Sequence, residues 1–162
     1  MISQIIDKAI EFNKGDPRRI SHFLKVYSFA KTIGELEKID GNKMDILEIS
    51  AVLHDIGIHV CEKKYNSTAG DLQEIEGPLI AEKMLNELNI SQEIINRVCF
   101  LIGHHHSYSQ IDGIDYQILV EADFLVNIYE DNMNESQIKS IRNKIFKTKS
   151  GISIIDSMYL SK

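Results

Sequence analysis

The sequence predicts an all-α fold, with a single helical-bundle domain over residues 1–162. Apolar residues recur at spacings of three and four along most of the chain, which is the period of one buried helix face. No stretch shows the strict apolar–polar alternation that is typical of a half-buried β-strand. The length of 162 residues is that of one ordinary domain, and nothing in the chain repeats at a fixed period.

Turn and capping residues separate the predicted helices of the first half. The first helix is predicted from apolar residues at helical spacing between Ile2 and Ile10, and Gly15 follows it as a stop. Asp16-Pro17 is the pattern of an N-cap followed by proline at the first helical position, so a helix starts there and runs to about residue 38. Asp40-Gly41 breaks the chain before a third helix over about 44–56, which Gly57 ends. The polar segment 59–77 is predicted to be a long irregular loop, and Pro78 to restart a helix.

The second half continues the helical period. Ser91 is expected to cap a helix that leads to the histidine run at 104–106. Asp112-Gly113 marks a turn before another helix, whose apolar stripe extends to Tyr129. One or two further helices are expected around 138–160.

The net charge of the chain indicates which classes of binding partner it favours. The chain has 18 basic and 24 acidic residues, a formal net charge of −6. An acidic chain is a poor candidate for binding a nucleic-acid polymer or an anionic membrane, whereas a small phosphorylated substrate needs only a local positive cluster. There is no apolar run of membrane-spanning length and no signal-peptide pattern, so we expect a cytoplasmic protein, with a homodimer as the default assembly.

Several polar side chains occupy positions that the helical period predicts to be buried. His54 and Asp55 stand side by side inside the apolar run AVLHDIGIHV. Burying a carboxylate costs several kcal/mol unless it is paired. His22, His105 and Asp123 lie on or at the edge of apolar stripes of other predicted helices. One divalent cation at the centre of the bundle would satisfy these imidazoles and carboxylates together.

This pattern resembles the HD-domain superfamily of metal-dependent phosphohydrolases. The family has a histidine on an early helix, a His-Asp doublet and an aspartate on a later helix, which match RRISHFLKVYSFA, LHDIG and LVEADFLVN over roughly residues 16–130. The resemblance implies an all-α fold and hydrolysis of a phosphate ester, often of a nucleotide. It implies that one divalent ion per chain, of Mn, Fe, Co, Ni, Zn or Mg, is held by His22, His54, Asp55 and Asp123.

Further residues are candidates for roles around the phosphate. Asp55 would position the attacking water and take its proton. A histidine of the run 104–106 or Glu76 would act as general acid or hold the phosphate, and a basic side chain would offset its charge. The candidates are His104, His105 and Glu76 for catalysis, and Arg18 and Lys64 for substrate binding.

The chain also departs from the family pattern. Many relatives have a lysine shortly after the doublet, where this chain has Ile58 and His59. Relatives with two or more metals add a histidine in the region that reads QEIEGP here, with Gln73 and Glu76. A second metal bound by Glu76 and a histidine of 104–106 therefore stays open. Two alternative functions also stay open: a di-iron oxygenase of the same fold, and a non-catalytic metal- or nucleotide-binding sensor domain.

Overall fold

The computed structural model describes residues 1–161, in which helices are the only regular secondary structure. The all-α prediction is therefore confirmed. A single 3₁₀ turn covers Tyr108–Gln110, and a π-helical turn over Asp156–Leu160 continues the last helix. The α-helices are α1 (Ile2–Phe12), α2 (Pro17–Leu36), α3 (Gly41–Leu53), α4 (Ile58–Tyr65), α5 (Gly70–Glu87), α6 (Gln92–Ile102), α7 (Ile114–Glu130), α8 (Glu135–Lys144) and α9 (Lys149–Ile155).

Helix α3 lies at the centre of the bundle. It packs against α2, α6, α7 and α1, and α2 also packs directly on α7. Every residue of α3 from Ile46 to Leu53 is buried, as expected for a helix that is surrounded on all sides. Burial of one large aliphatic side chain contributes about 1.5–3 kcal/mol, so this helix and its neighbours form the main stabilising core. The same packing brings one end of α3 between α2 and α7.

The start of α2 follows the predicted capping pattern. Asp16 is the N-cap, and its side chain accepts a hydrogen bond from the backbone N–H of Arg19 at 3.0 Å. Pro17 occupies the first helical position, where its missing N–H costs nothing. This cap sets the register of α2 and hence the position of His22, which lies six residues further along.

The prediction of a long loop over 59–77 is wrong, because α4 and the first two turns of α5 occupy this segment. Pro78 lies inside α5 rather than at its start. The charged side chains that hid the helical period pair across elements, as in the ion pair between Lys64 and Glu76. Asn66, with a left-handed φ of 50°, ends α4 and provides the turn into α5.

No helix within residues 1–161 is both long enough and apolar enough to cross a membrane.

Candidate metal centre

The His-Asp doublet lies in the turn that follows α3. Helix α3 ends at Leu53, earlier than the predicted end near residue 56, and residues 54–57 form the turn into α4. Gly57 is required here because a Cβ atom would lie 2.8 Å from the backbone N of Gly77 on α5. His54 itself keeps a helical backbone, with φ −54° and ψ −37°, and its Nε2 atom nevertheless lies 3.3 Å from Oδ2 of Asp55, so both side chains reach one point.

Four side chains from α2, α7 and this turn converge at that point. The Nε2 atom of His22 lies 3.2 Å from Nε2 of His54, 3.4 Å from Oδ2 of Asp55 and 3.3 Å from Oδ1 of Asp123. The Nε2 atom of His54 lies 3.3 Å from Oδ2 of Asp55 and 3.5 Å from Oδ1 of Asp123. We call His22, His54, Asp55 and Asp123 the four-residue cluster.

These separations suit a shared metal ion. Ligand atoms bonded at about 2.1 Å to one tetrahedral ion lie about 3.4 Å from one another. In the four-residue cluster, the separations that involve a histidine are 3.2–3.5 Å, and ligand atoms of His22, His54 and Asp123 all lie within 4.8 Å of one another. Two imidazoles and two carboxylates also form a donor set that suits several divalent transition metals. The residues therefore fit a single divalent cation.

The tautomers of the two histidines point to the same conclusion. The Nδ1 atom of His22 donates to Oε2 of Glu130 at 3.0 Å, and Nδ1 of His54 donates to the backbone carbonyl of Ala51 at 2.9 Å. In the neutral rings both Nε2 atoms then carry lone pairs, and these face each other at 3.2 Å. A proton or a metal cation must lie between them to remove this repulsion.

The pKa shifts in the four-residue cluster also favour a positive charge between the carboxylates. Burial acts to lower the pKa of His22 and His54, but the neighbouring carboxylates raise both pKa values above 6.5, that of His54 well above. Burial acts to raise the pKa of Asp55 and Asp123, but the adjacent histidines hold both values below the usual range. The carboxylates are therefore ionised and ready to bind a cation.

Two residues of α7 that the sequence analysis missed support the cluster. Glu130 orients His22, and the side-chain amide of Asn127 donates to Oδ1 of Asp123 at 2.9 Å. Lys25 in turn donates to Oε1 of Glu130 at 2.7 Å. Asn127 and Glu130 follow Asp123 at spacings of four and seven, so these polar residues share one face of a helix that is otherwise mostly apolar. That spacing was visible in the sequence.

His105 lies against the other oxygen of Asp55. Its Nε2 atom is 3.5 Å from Oδ1 of Asp55, is buried, and has no hydrogen-bond partner among residues 1–161. Its Nδ1 atom donates to the backbone carbonyl of Ile102 at 2.8 Å, so Nε2 carries a free lone pair. Ligand atoms of Asp55, His105 and His106 all lie within 4.8 Å of one another and form a second group that could hold a metal. Asp55 thus lies between two potential sites.

Three other predicted residues make different contacts. His104 stacks on Phe100 with ring centroids 4.2 Å apart, and its Nδ1 atom donates to the Phe100 carbonyl at 2.7 Å. Glu76 accepts hydrogen bonds from Lys64 and from the hydroxyl of Tyr65, both at 2.6 Å. Glu76 and Lys64 therefore neutralise each other, and their roles at the site stay predictions, as does that of His104.

A cavity of about 590 Å³ opens beside the four-residue cluster. His22 and Asp55 line it, together with Arg18 and Arg19 from the first turn of α2 and Gln73 from α5. Pockets for small ligands typically have volumes of about 300–1,000 Å³. The cluster is thus accessible to a small molecule, and the predicted substrate-binding residue Arg18 is part of the wall.

Comparisons with known proteins agree with this arrangement. Residues 19–147 match the family described as HD domain. This match covers most of the chain, so the chain belongs to the HD-domain family, a family of metal-dependent hydrolases. The fold is similar to the crystal structure of a predicted HD superfamily hydrolase from an uncultured Thermotogales bacterium, with a TM-score of 0.70 and 23% sequence identity. That similarity covers 98% of this chain and 84% of the other. A search of the curated proteins finds no significant match.

Proposed function

We propose that this protein is a phosphohydrolase that cleaves a phosphate ester of a small metabolite, such as a nucleotide, with one divalent metal ion per chain. The observation that carries this proposal is the convergence of the four-residue cluster beside a cavity of about 590 Å³; in the cluster, the two histidine Nε2 atoms lie 3.2 Å apart and each lies 3.3–3.5 Å from both carboxylates. Four ligands can leave coordination positions free for water and substrate, as in catalytic metal sites. The exposed guanidinium of Arg18 on the cavity wall provides a positive charge for the phosphate.

The chain itself can hold the reacting groups and move a proton. When bound, a divalent cation would supply a Lewis acid that activates water and polarises the phosphoryl group. Asp55 has one oxygen toward the histidines of the cluster and the other toward His105, so it can orient the attacking water. His105 is buried and does not line the cavity, but the lone pair on its Nε2 atom can accept the proton of a water that Asp55 orients. The leaving oxygen would take its proton from solvent in the cavity.

The charge of the chain supports a small partner. The net charge of −6 disfavours a nucleic-acid polymer or an anionic membrane surface. We accordingly propose a small phosphorylated substrate, a cytoplasmic location and assembly as a homodimer. Size-exclusion chromatography with light scattering tests the assembly directly.

A metal-reconstitution assay tests the proposed activity. The protein would be stripped with a chelator, reloaded separately with Mn²⁺, Co²⁺, Ni²⁺, Zn²⁺, Fe²⁺ or Mg²⁺, and assayed against phosphomonoesters and phosphodiesters. We expect metal-dependent release of phosphate or alcohol, which is lost in Asp55→Asn. Full metal occupancy without hydrolysis of any ester would instead favour a sensor domain.

The group formed by Asp55, His105 and His106 favours one second candidate function. A carboxylate that lies between two sets of ligands is suited to bridging two metal ions, as the di-iron oxygenase alternative requires. That alternative predicts two irons per chain and consumption of dioxygen. Iron analysis and an oxygen electrode distinguish it from a one-metal hydrolase.

A further inference from the structure

The charges and the wall of the cavity restrict the kind of substrate. We infer that the substrate carries a single phosphate group and that the rest of the molecule is uncharged and rich in hydroxyl groups, as in a sugar or polyol monophosphate. This inference rests on the proposed function, because it concerns the cavity beside the four-residue cluster. The inference is argued from three properties of the cavity wall: its charged residues, its aromatic surface and its hydrogen-bonding groups.

The wall has little positive charge available for a second phosphate. Arg19 is already engaged, because its guanidinium donates to Asp16 at 2.9 Å and to Glu62 at 2.5 and 3.1 Å. Arg18 has no ionic or hydrogen-bond partner among residues 1–161, so its guanidinium is uncommitted. Among residues 1–161, the ionic residues of the wall outside the four-residue cluster are four carboxylates and two guanidiniums, namely Asp16, Glu62, Glu130, Asp131, Arg18 and Arg19.

The carboxylates of the wall would repel additional phosphates. Asp131, directly after α7, is exposed, and its side chain has no basic partner among residues 1–161. Each further phosphate of a di- or triphosphate adds at least one negative charge, and like charges in a cavity repel more strongly than in bulk water. A divalent cation together with Arg18 is enough for one phosphate group. A second or third phosphate would meet the unpaired carboxylate of Asp131, because Arg19 is already occupied by Asp16 and Glu62.

The rest of the wall suits hydroxyl groups better than a stacked base. Phe23 is the only aromatic hydrocarbon residue among those that line the cavity, and it is 4% exposed. Recognition of a nucleobase commonly uses an open ring face for stacking, which Phe23 does not offer. The wall instead has the amide groups of Asn13, Gln73 and Asn127 beside the carboxylates. Their nitrogens already donate to protein oxygens, but Oε1 of Gln73 has no hydrogen-bond partner among residues 1–161. Carboxylates accept hydrogen bonds and do not donate them, so they select ligand hydroxyls.

A binding series separates the number of phosphates from the chemistry of the rest of the molecule. Titration calorimetry on the metal-loaded protein, at buffered free metal, would compare adenosine mono-, di- and triphosphate, cytidine monophosphate, ribose 5-phosphate and p-nitrophenyl phosphate. We expect the Kd to rise by about tenfold or more from the mono- to the triphosphate. We expect the two nucleoside monophosphates to differ by less than about threefold, and ribose 5-phosphate to bind about tenfold more tightly than the nitrophenyl ester. Equal or tighter binding of the triphosphate, or of the nitrophenyl ester, would overturn the inference.

A charge-neutralising variant tests the role of the wall. Asp131→Asn removes one carboxylate without touching the four-residue cluster, and we expect the preference for mono- over triphosphate to fall by about threefold. Asp7→Asn, an exposed residue of α1 that does not line the cavity, makes the same change in net charge and should leave the preference unchanged. An unchanged preference in Asp131→Asn would also overturn the inference.

Turnover of the same compounds keeps the two proposals apart. If the binding order is as expected but no ester is hydrolysed, the phosphohydrolase proposal fails and the assignment of the ligand class stands. If triphosphates are hydrolysed as well as monophosphates, the phosphohydrolase proposal stands and the inference about the substrate fails.

Discussion

Glu130 holds the Nδ1 atom of His22 at 3.0 Å, although 108 residues separate the two in the chain. The contact selects the tautomer in which Nε2 of His22 carries the lone pair, directed toward His54 and Asp123. Helices α2 and α7 are therefore joined at the site by a hydrogen bond as well as by packing. A metal bound to His22 would depend on this carboxylate.

Replacing Glu130 should weaken metal binding. We expect Glu130→Ala to raise the Kd for the metal about 10- to 100-fold, because the ring of His22 loses its orientation and its basicity. Glu130→Gln keeps an acceptor oxygen and should have a smaller effect. Competition with a fluorescent chelator measures both. Lys25→Ala is the matched control, since it removes only the lysine that contacts Glu130, and should change the Kd by less than about threefold. Unaltered affinity in Glu130→Ala would exclude this supporting role.

Removing a ligand of the four-residue cluster should abolish metal binding while the fold is kept. We expect His54→Ala and Asp55→Ala to lose the metal and the hydrolytic activity, because each removes a donor atom and leaves the remaining charges unmatched. Elemental analysis and far-ultraviolet circular dichroism check the two parts of this statement. His104→Ala is the control, since His104 contacts Phe100 and not the cluster, and should keep the metal. If either cluster variant keeps both metal and activity, the site is misassigned.

The stability of the metal-free protein should decrease as the pH rises above neutrality. The pKa values of His22 and His54 are raised by folding, so their contribution is complete below the unfolded value of 6.5 and is lost as the pH rises through the folded values. Folding lowers the pKa values of Asp55 and Asp123. Their contribution to the free energy of unfolding is therefore complete above the unfolded pKa of 3.8 and is lost as the pH falls through the folded values. The cluster should stabilise the metal-free chain most between pH of about 4 and 6.5. The Tm of the stripped protein against pH measures this.

The stabilisation of the protein by bound metal should increase with pH, in contrast to the stability of the metal-free protein. The imidazoles must be neutral to bind a metal, so protons compete with the ion below the raised pKa values of His22 and His54. We therefore expect the increase in Tm on addition of Mn²⁺ to grow from pH of about 6 to 8. His22→Ala should lose the increase at every pH. An increase that is independent of pH in the unmutated protein would show that these histidines do not bind the metal.

Metal stoichiometry distinguishes one site from two. We expect one tightly bound ion per chain, because the four-residue cluster supplies four ligands, whereas the second group has only His105 and His106 beside the shared Asp55. Elemental analysis after dialysis should give about one equivalent. His106→Ala should leave that value unchanged. Two equivalents in the unmutated protein, falling to one in His106→Ala, would establish a two-metal centre.

Gly151 should be necessary for the docking of the C-terminal helix. Glu121 on α7 is fully buried and accepts hydrogen bonds from the backbone N–H groups of Lys147 and Thr148 at 2.7 and 2.9 Å. A Cβ atom on Gly151 would overlap Oε2 of this carboxylate. We expect Gly151→Ala to lower the free energy of unfolding by about 1–3 kcal/mol, measured by urea denaturation. Ser153→Ala, at an exposed position of the same helix, should change it by less than about 0.5 kcal/mol. Equal effects of the two substitutions would contradict this role of Gly151.

The local errors of the sequence analysis have a common physical cause. Segment 59–77 was predicted to be a loop because its charged residues obscure the helical period. In the structure Lys64 pairs with Glu76, and Glu62 pairs with Arg19 across to α2. Partners of this kind are distant in sequence and contribute nothing to local periodicity. Asn127 and Glu130 were missed although their spacing on α7 could have indicated them.

The sequence by itself determined the all-α class, the starts of α2, α6 and α7, and the membership of the HD-domain family. Helical period, capping residues and the pattern of His22, His54, Asp55 and Asp123 are properties of the chain that need no tertiary contacts. Tertiary structure alone decided which oxygen of Asp55 faces which histidine, that Glu130 orients His22, and that Arg19 is engaged while Arg18 is free. These relationships depend on helix packing and side-chain rotamers between segments up to 108 residues apart, and no local pattern encodes them.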